Sequence, residues 1–162
     1  MNILIQEISG ATAPAIIEKI ENQTEETILI INSFGGSVFW GLKIYEAIRN
    51  ARYPVTGLVL VQAASIAVLI LQACTERFIE KKSKIVFHDA IFKKPLTNIT
   101  LTDLKIREEQ KENVIERITL RTGISKNQIV QFMKNEKSFS ANGAFIFGLV
   151  DKVCEESTSL VA

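Results

Sequence analysis

The chain has 162 residues, 19 basic and 18 acidic side chains, a formal net charge of +1 and a single histidine. That length holds one sizeable core rather than two ordinary domains, and the near-neutral balance supplies no electrostatic reason for a nucleic-acid partner. Cys74 and Cys154 sit in apolar settings and read as buried thiols rather than a disulfide framework, which suits a reducing, cytoplasmic compartment.

The start lacks the basic end and long apolar stretch of a leader, and Ile3–Glu7 is strand-like. Thr12 can cap a helix reaching about Asn22, with Pro14 in its first turn, where the missing N–H does no harm. Thr27–Asn32 is short, β-branched and uncharged, which predicts a central strand. A helix from Ser37 to Ala51 follows, with Val38, Leu42, Tyr45 and Ile48 on one stripe. Val55 to Cys74 carries no charge over 20 residues, long enough to cross a bilayer. Interruptions at Thr56, Gly57, Gln62, Ser65 and Gln72 argue otherwise, as does the change from β-rich Val55–Val61 to helical Ala63–Ala73. A buried strand turning into a buried helix gives the same hydropathy, so no membrane association is expected. Arg77–Ile79 and Ile85–His88 are two further short strands. The β-α-β-α order predicts a mainly parallel sheet with right-handed crossovers.

The second half changes character. Thr100-Leu-Thr-Asp103 is a capping-box pattern, opening a helix that runs to Thr122 and stops at Gly123. Its middle, Arg107 to Asn113, is polar throughout. A helix with no apolar stripe for two turns projects, bridges to another subunit, or is simply solvated. Ser125-x-x-Gln128 opens the next helix, Ser140 opens a short one ending at Gly148, and Leu149–Val153 is a final strand candidate.

Three spaced signals carry chemistry. Ile31-Asn-Ser-Phe-Gly-Gly-Ser37 places a glycine pair after a strand, where backbone N–H groups can face a ligand without a Cβ in the way. Gln62-Ala-Ala-Ser65 puts a serine at a strand-to-helix junction, with the positive end of the helix beside it. His88 closes the run Lys84-Ile-Val-Phe87. Singly these read as a turn, a small helix-starting residue and a satisfied core histidine. Together they are the oxyanion donors, nucleophile and general base of acyl transfer.

Their order and spacing resemble the ClpP peptidase family. Ile31-Asn-Ser-Phe-Gly-Gly-Ser37 looks like that family's I-N-S-P-G-G-S segment, and Gly41-Leu-Lys-Ile-Tyr45 like its G-x-x-I-Y. Gln62-Ala-Ala-Ser65 matches the nucleophile turn, Ile85-Val-Phe-His88 the histidine strand, and Phe139-Ser-Ala141 with Gly148-Leu-Val-Asp151 the closing segment. The resemblance implies a ClpP/crotonase-like α/β spiral of β-β-α units, a single domain over residues 1–162 with a handle region at about 89–123. It also implies Ser65 as nucleophile, His88 as base, and the Gly36 and Ile66 N–H groups as oxyanion hole. Glu136 aligns with the family's aspartate, and the neighbouring Asn135 is the alternative orienting group.

Several positions depart from the family pattern. Phe34 stands for a proline, Val61 and Ala67 for glycines, and Ala90 for another proline. The glycine-rich strand that normally lies beside bound peptide is here Phe92-Lys-Lys-Pro-Leu-Thr-Asn98, where Pro95 removes a backbone donor.

By this resemblance the chain is an ATP-independent serine endopeptidase, acting on peptides or unfolded polypeptide with no cofactor or metal. It would work inside a homo-oligomer, a heptameric ring forming one or two layers. The chain begins near the family's first core strand, so the axial loops that meet an unfoldase ATPase are not expected, as in short ClpP-like proteases of phage head-maturation modules. The runner-up is a catalytically silent ClpP-like structural subunit, and a crotonase-type acyl-CoA enzyme is a third reading. A Ser–Lys dyad using Lys105 or Lys111 would leave His88 without a role.

Overall fold

The computed structural model describes residues 1–89 and 99–155. Seven strands and six helices follow in the order β1 (Asn2–Ile8), α1 (Ala13–Glu21), β2 (Thr27–Gly36), α2 (Val38–Arg49), β3 (Val55–Ala64), α3 (Ile66–Ala73), β4 (Glu76–Glu80), β5 (Lys84–Val86), α4 (Leu101–Thr122), α5 (Lys126–Lys134), β6 (Ser138–Ser140), α6 (Ala141–Ile146) and β7 (Lys152–Cys154). The main path of the sheet is β1-β2-β3-β4-β7, with β5 also on β3 and β6 on β5. Every pairing is parallel except β5 with β6.

On the edge away from β2, β3 serves two neighbours. Its first half, Thr56–Val59, pairs with β4, and its last residues, Gln62–Ala64, pair with β5. The change falls at Val61, whose φ of 69° is a left-handed conformation rarely taken by a β-branched residue. The register between β2 and β3 shifts over the same stretch, and the Val61 N–H, turned out of the ladder, donates to Ser83 Oγ at 2.7 Å. This bend lets one strand carry both the core sheet and the smaller β5–β6 layer.

The uncharged run Val55–Cys74 is the centre of the protein. Every residue of α3 is buried, and β3 is buried on both faces over much of its length, which accounts for its membrane-like hydropathy. Among the described residues no helix is long and apolar enough to cross a membrane.

Two local expectations shift. Thr12 stands at the α1 N-terminus but its hydroxyl donates to Glu7 O at 2.8 Å instead of capping the helix. In α2 the buried residues are Gly41, Ile44, Ala47 and Ile48, so Ile48 of the expected stripe is among them while Val38, Leu42 and Tyr45 pack against the core partly buried. Small residues let α2 approach α3 closely: a side chain at Gly41 would meet Ile66 Cγ1 at 2.1 Å. Hydropathy does not weigh that kind of contact.

The second-half helices begin and end where their caps place them. Thr100 and Asp103 form a reciprocal capping box, Ser125 and Gln128 another, and Gly123 ends α4 in the left-handed region. α4 packs through Val114, Ile115 and Ile118 near its C-terminal end, while Leu101, Leu104 and Ile106 are exposed. Arg117 reaches Glu46 at 2.6 Å and lies over the Tyr45 ring, tying α4 to α2.

A buried arginine locks the far edge of the sheet. Arg77 (6% exposed side chain) donates from Nε and from its backbone N–H to Asp151 Oδ2, and from Nη2 to Oδ1 at 2.5 Å. Its Nη1 donates to Gln72 Oε1 and to Gly148 O. Burial alone would raise the Asp151 carboxyl, but the Arg77 hydrogen bonds and charge, with Arg121 beyond, bring it below the ordinary carboxylate value.

Candidate active site

Ser65 is the single residue between β3 and α3. Its backbone is held at φ 56° and ψ −126°, a conformation that costs a non-glycine residue about 1–3 kcal/mol. A serine in that place would ordinarily cap the helix with its hydroxyl, yet Ser65 makes no side-chain cap. Two backbone bonds hold the turn instead. Ser65 N–H donates to Val86 O at 2.9 Å, and Ser65 O accepts from Val68 N–H at 3.0 Å. The hydroxyl is thereby kept out of local structure.

The glycine pair at the end of β2 lies against this turn. At Gly35 (φ 100°) a Cβ would meet Ser65 Cβ at 2.7 Å and Ala64 O at 2.9 Å, so no side chain fits there. Gly36 follows at φ 150°. Ile66 is the first residue of α3, so its N–H has no partner within the helix and stands at the helix's positive end.

His88 is delivered by β5. Phe87 before it is buried between Phe132 and Phe139, with ring centroids 5.7 and 6.0 Å away. That aromatic cluster pins the strand end to α5 and β6. His88 itself is half-buried, and its Nδ1 lies 2.9 Å from Asp89 O. A carbonyl oxygen can only accept, so this contact requires the proton on Nδ1 and leaves the lone pair on Nε2. Among the described residues no hydrogen bond joins Ser65 to His88.

Glu136 sits in the turn after α5. Lys137 N–H bonds to Phe132 O at 2.9 Å and Glu136 N–H to Met133 O at 3.3 Å, a Schellman motif closing the helix. Glu136 occupies its left-handed position (φ 47°), a place that favours glycine. The antiparallel ladder pairs Lys84 with Ser140, Ile85 with Phe139 and Val86 with Ser138. Phe87 N–H donates to Lys137 O at 2.9 Å, just beyond the last ladder pair, and Glu136 is the residue before Lys137. Both Glu136 and Asn135 are exposed, and among the described residues no hydrogen bond links either to the imidazole.

Ser65 and His88 line one cavity. Its apolar wall is Val38, Ile66, Val114 and Met133, and Asp89, Arg107, Gln110 and Lys111 complete it. The Asp89 carboxylate takes Lys111 Nζ at 2.6 Å, with Arg107 Nη2 at 3.7 Å. The polar middle of α4 is therefore not uniformly solvated. Its Arg107–Lys111 face grips the residue after His88, while Glu108, Glu109, Glu112 and Glu116 lie along the outer side. Ala90 and Phe92–Asn98, including Pro95, lie outside the described residues. Among the described residues no three His, Cys, Asp or Glu side chains stand close enough to hold a metal ion.

The family model described as Clp protease matches residues 3–157. Among solved structures, the chain is similar to a ClpP1 variant from Listeria monocytogenes. The TM-score is 0.83 at 22% identity, over 96% of this chain and 91% of that one. The likeness establishes the fold as the ClpP/crotonase-like spiral.

Proposed function

We propose that this chain, which belongs to the Clp protease family, is a serine peptidase in which Ser65, His88 and Glu136 form the catalytic triad. Ser65 Oγ attacks the scissile carbonyl while His88 Nε2 takes its proton. The Gly36 and Ile66 N–H groups hold the oxyanion, and His88 then protonates the leaving amine. Water, deprotonated by the same nitrogen, releases the acyl group and restores Ser65. Glu136 orients the imidazole and stabilises its protonated form. The chemistry draws on no nucleotide or metal.

One observation supports this reading above the others. Ser65 is held in a strained conformation that spares its hydroxyl from capping, in one cavity with the protein's single histidine. Strain retained at a serine beside a helix N-terminus is what a preorganised nucleophile requires. Exposed apolar side chains at Phe145, Ile146 and Leu120, each at least 53% exposed, favour a homo-oligomer, read as a ring with residues 89–123 as the handle between layers. Substrates are peptides or unfolded polypeptide.

The test is intact-mass analysis after fluorophosphonate treatment, beside Ser65→Ala. One adduct on the wild type and none on the variant sustains the proposal. A well-folded oligomer that takes no adduct favours the second reading, a silent structural subunit. The His88 contact to Asp89 O, in place of one to Glu136, is what keeps that reading in play.

A further inference from the structure

The cavity beside Ser65 is not uniformly apolar. Val38, Ile66, Val114 and Met133 would suit an aliphatic side chain. Above them α4 contributes Arg107 and Lys111, which stand one helical turn apart and share a face. Both cations turn to the same place, because Lys111 Nζ lies 2.6 Å and Arg107 Nη2 3.7 Å from the carboxylate of Asp89. Arg107 and Lys111 are 29% and 24% exposed, so the pair is partly shielded from solvent.

We infer that this cavity is an anion-selecting subsite, and that the peptidase prefers substrates whose residue on the acyl side of the cleaved bond is glutamate. The inference rests on Ser65 being the nucleophile, which makes the adjoining cavity the place for that residue. A glutamate runs two methylenes along the apolar wall before its carboxylate meets the cations. A lysine is repelled. Asp89 shows that the basic pair accepts a carboxylate in this position. A substrate carboxylate binds the pair by displacing Asp89, which acts as an internal competitor.

Peptides that differ only in Glu, Gln, Leu or Lys at that residue, each with a fluorogenic leaving group, test the idea on the full-length protein. A charge-assisted hydrogen bond predicts kcat/KM for Glu above its uncharged isostere Gln by about tenfold or more in the wild type. The ratio falls towards one in Lys111→Met and rises in Asp89→Asn. Equal rates for Glu and Gln in the wild type, or a ratio unmoved by Lys111→Met in protein with a normal melting profile, overturn the subsite.

Binding separates this from the peptidase reading. Fluorescence anisotropy on Ser65→Ala compares labelled Glu and Gln peptides without turnover, and fluorophosphonate reports the serine independently. A labelled enzyme with no Glu preference refutes the subsite alone. Glu-selective binding by protein that takes no fluorophosphonate leaves a carboxylate-binding cavity but overturns both the peptidase and its cleavage preference.

Discussion

The backbone N–H of Ser65 donates to the carbonyl oxygen of Val86 at 2.9 Å. The serine's turn thus hangs on the strand that delivers His88 two residues later, and the β5–β6 ladder ties that strand to the one that follows Glu136. Three candidate groups from distant parts of the chain are placed by one small layer of strands.

If Ser65 is the nucleophile, Ser65→Ala lowers kcat by about 10⁴-fold or more. It leaves the thermal midpoint nearly unchanged, because alanine inherits the same left-handed backbone without relief. A residual rate within tenfold of wild type refutes the assignment.

Glu136 gives a test in which stability and activity part. Glycine belongs at the left-handed position of a Schellman motif, so Glu136→Gly stabilises the fold by up to about 1 kcal/mol in urea unfolding. The same change lowers kcat if the carboxylate orients His88. A variant that is more stable and equally active shows Glu136 to be only a helix stop.

Val61 carries a similar strain with no proposed role in the chemistry. Its side chain is 60% exposed, so little packing is lost on removal. Val61→Gly relieves the φ of 69° and raises stability by up to about 1 kcal/mol, net of glycine's greater entropy when unfolded. A lower unfolding midpoint would show that the isopropyl group supports the fork in β3.

Acid sensitivity follows from Asp151. Its carboxyl is held below the ordinary value, against the upward pull of burial, by Arg77 and Arg121. The stability it contributes is full above the ordinary carboxylate pKa and is lost as pH falls through the lower native one. Asp151→Asn leaves Arg77 buried beside a neutral partner. Solvent reaching Asp151, 42% exposed, screens the pair, so the expected cost is about 2 kcal/mol at neutral pH. Urea midpoints for the two proteins converge as the pH is lowered from about 5. A gap that persists into acid would locate the effect in packing rather than charge.

Cys74 is fully buried and its thiol is pushed up to about 12 by burial. Native protein leaves it unmodified by alkylating reagent at neutral pH, and denaturant exposes it. Rapid native alkylation mapped to Cys74 would contradict the packing of α3 against β3.

Much of the fold is legible in the residues, because strands and helices here announce their ends. Thr100, Ser125 and Gly123 act where capping chemistry puts them, and the uncharged run after Val55 resolves into strand and helix at Ser65. β6 has no such signal: three residues, Ser138–Ser140, pair only with the equally short β5. The grip of Arg107 and Lys111 on Asp89 was also hidden, since it joins residues about twenty apart through tertiary placement. Nor does composition disclose that Val61, Ser65 and Glu136 take positive φ. Conformation at those three positions is imposed by neighbours rather than preferred by the side chains.

The divided loyalty of β3 has a dynamic consequence. Its first half is bound into the broad core sheet, whereas the end leading to Ser65 leans on two strands of three residues each. Short, peripheral pairings open at lower free energy than core ones. The β5–β6 layer can therefore detach while the core stays closed, separating serine from histidine without unfolding the protein. In hydrogen exchange, the amides of Ser65 and Phe87 would lose protection together, well before that of Leu58.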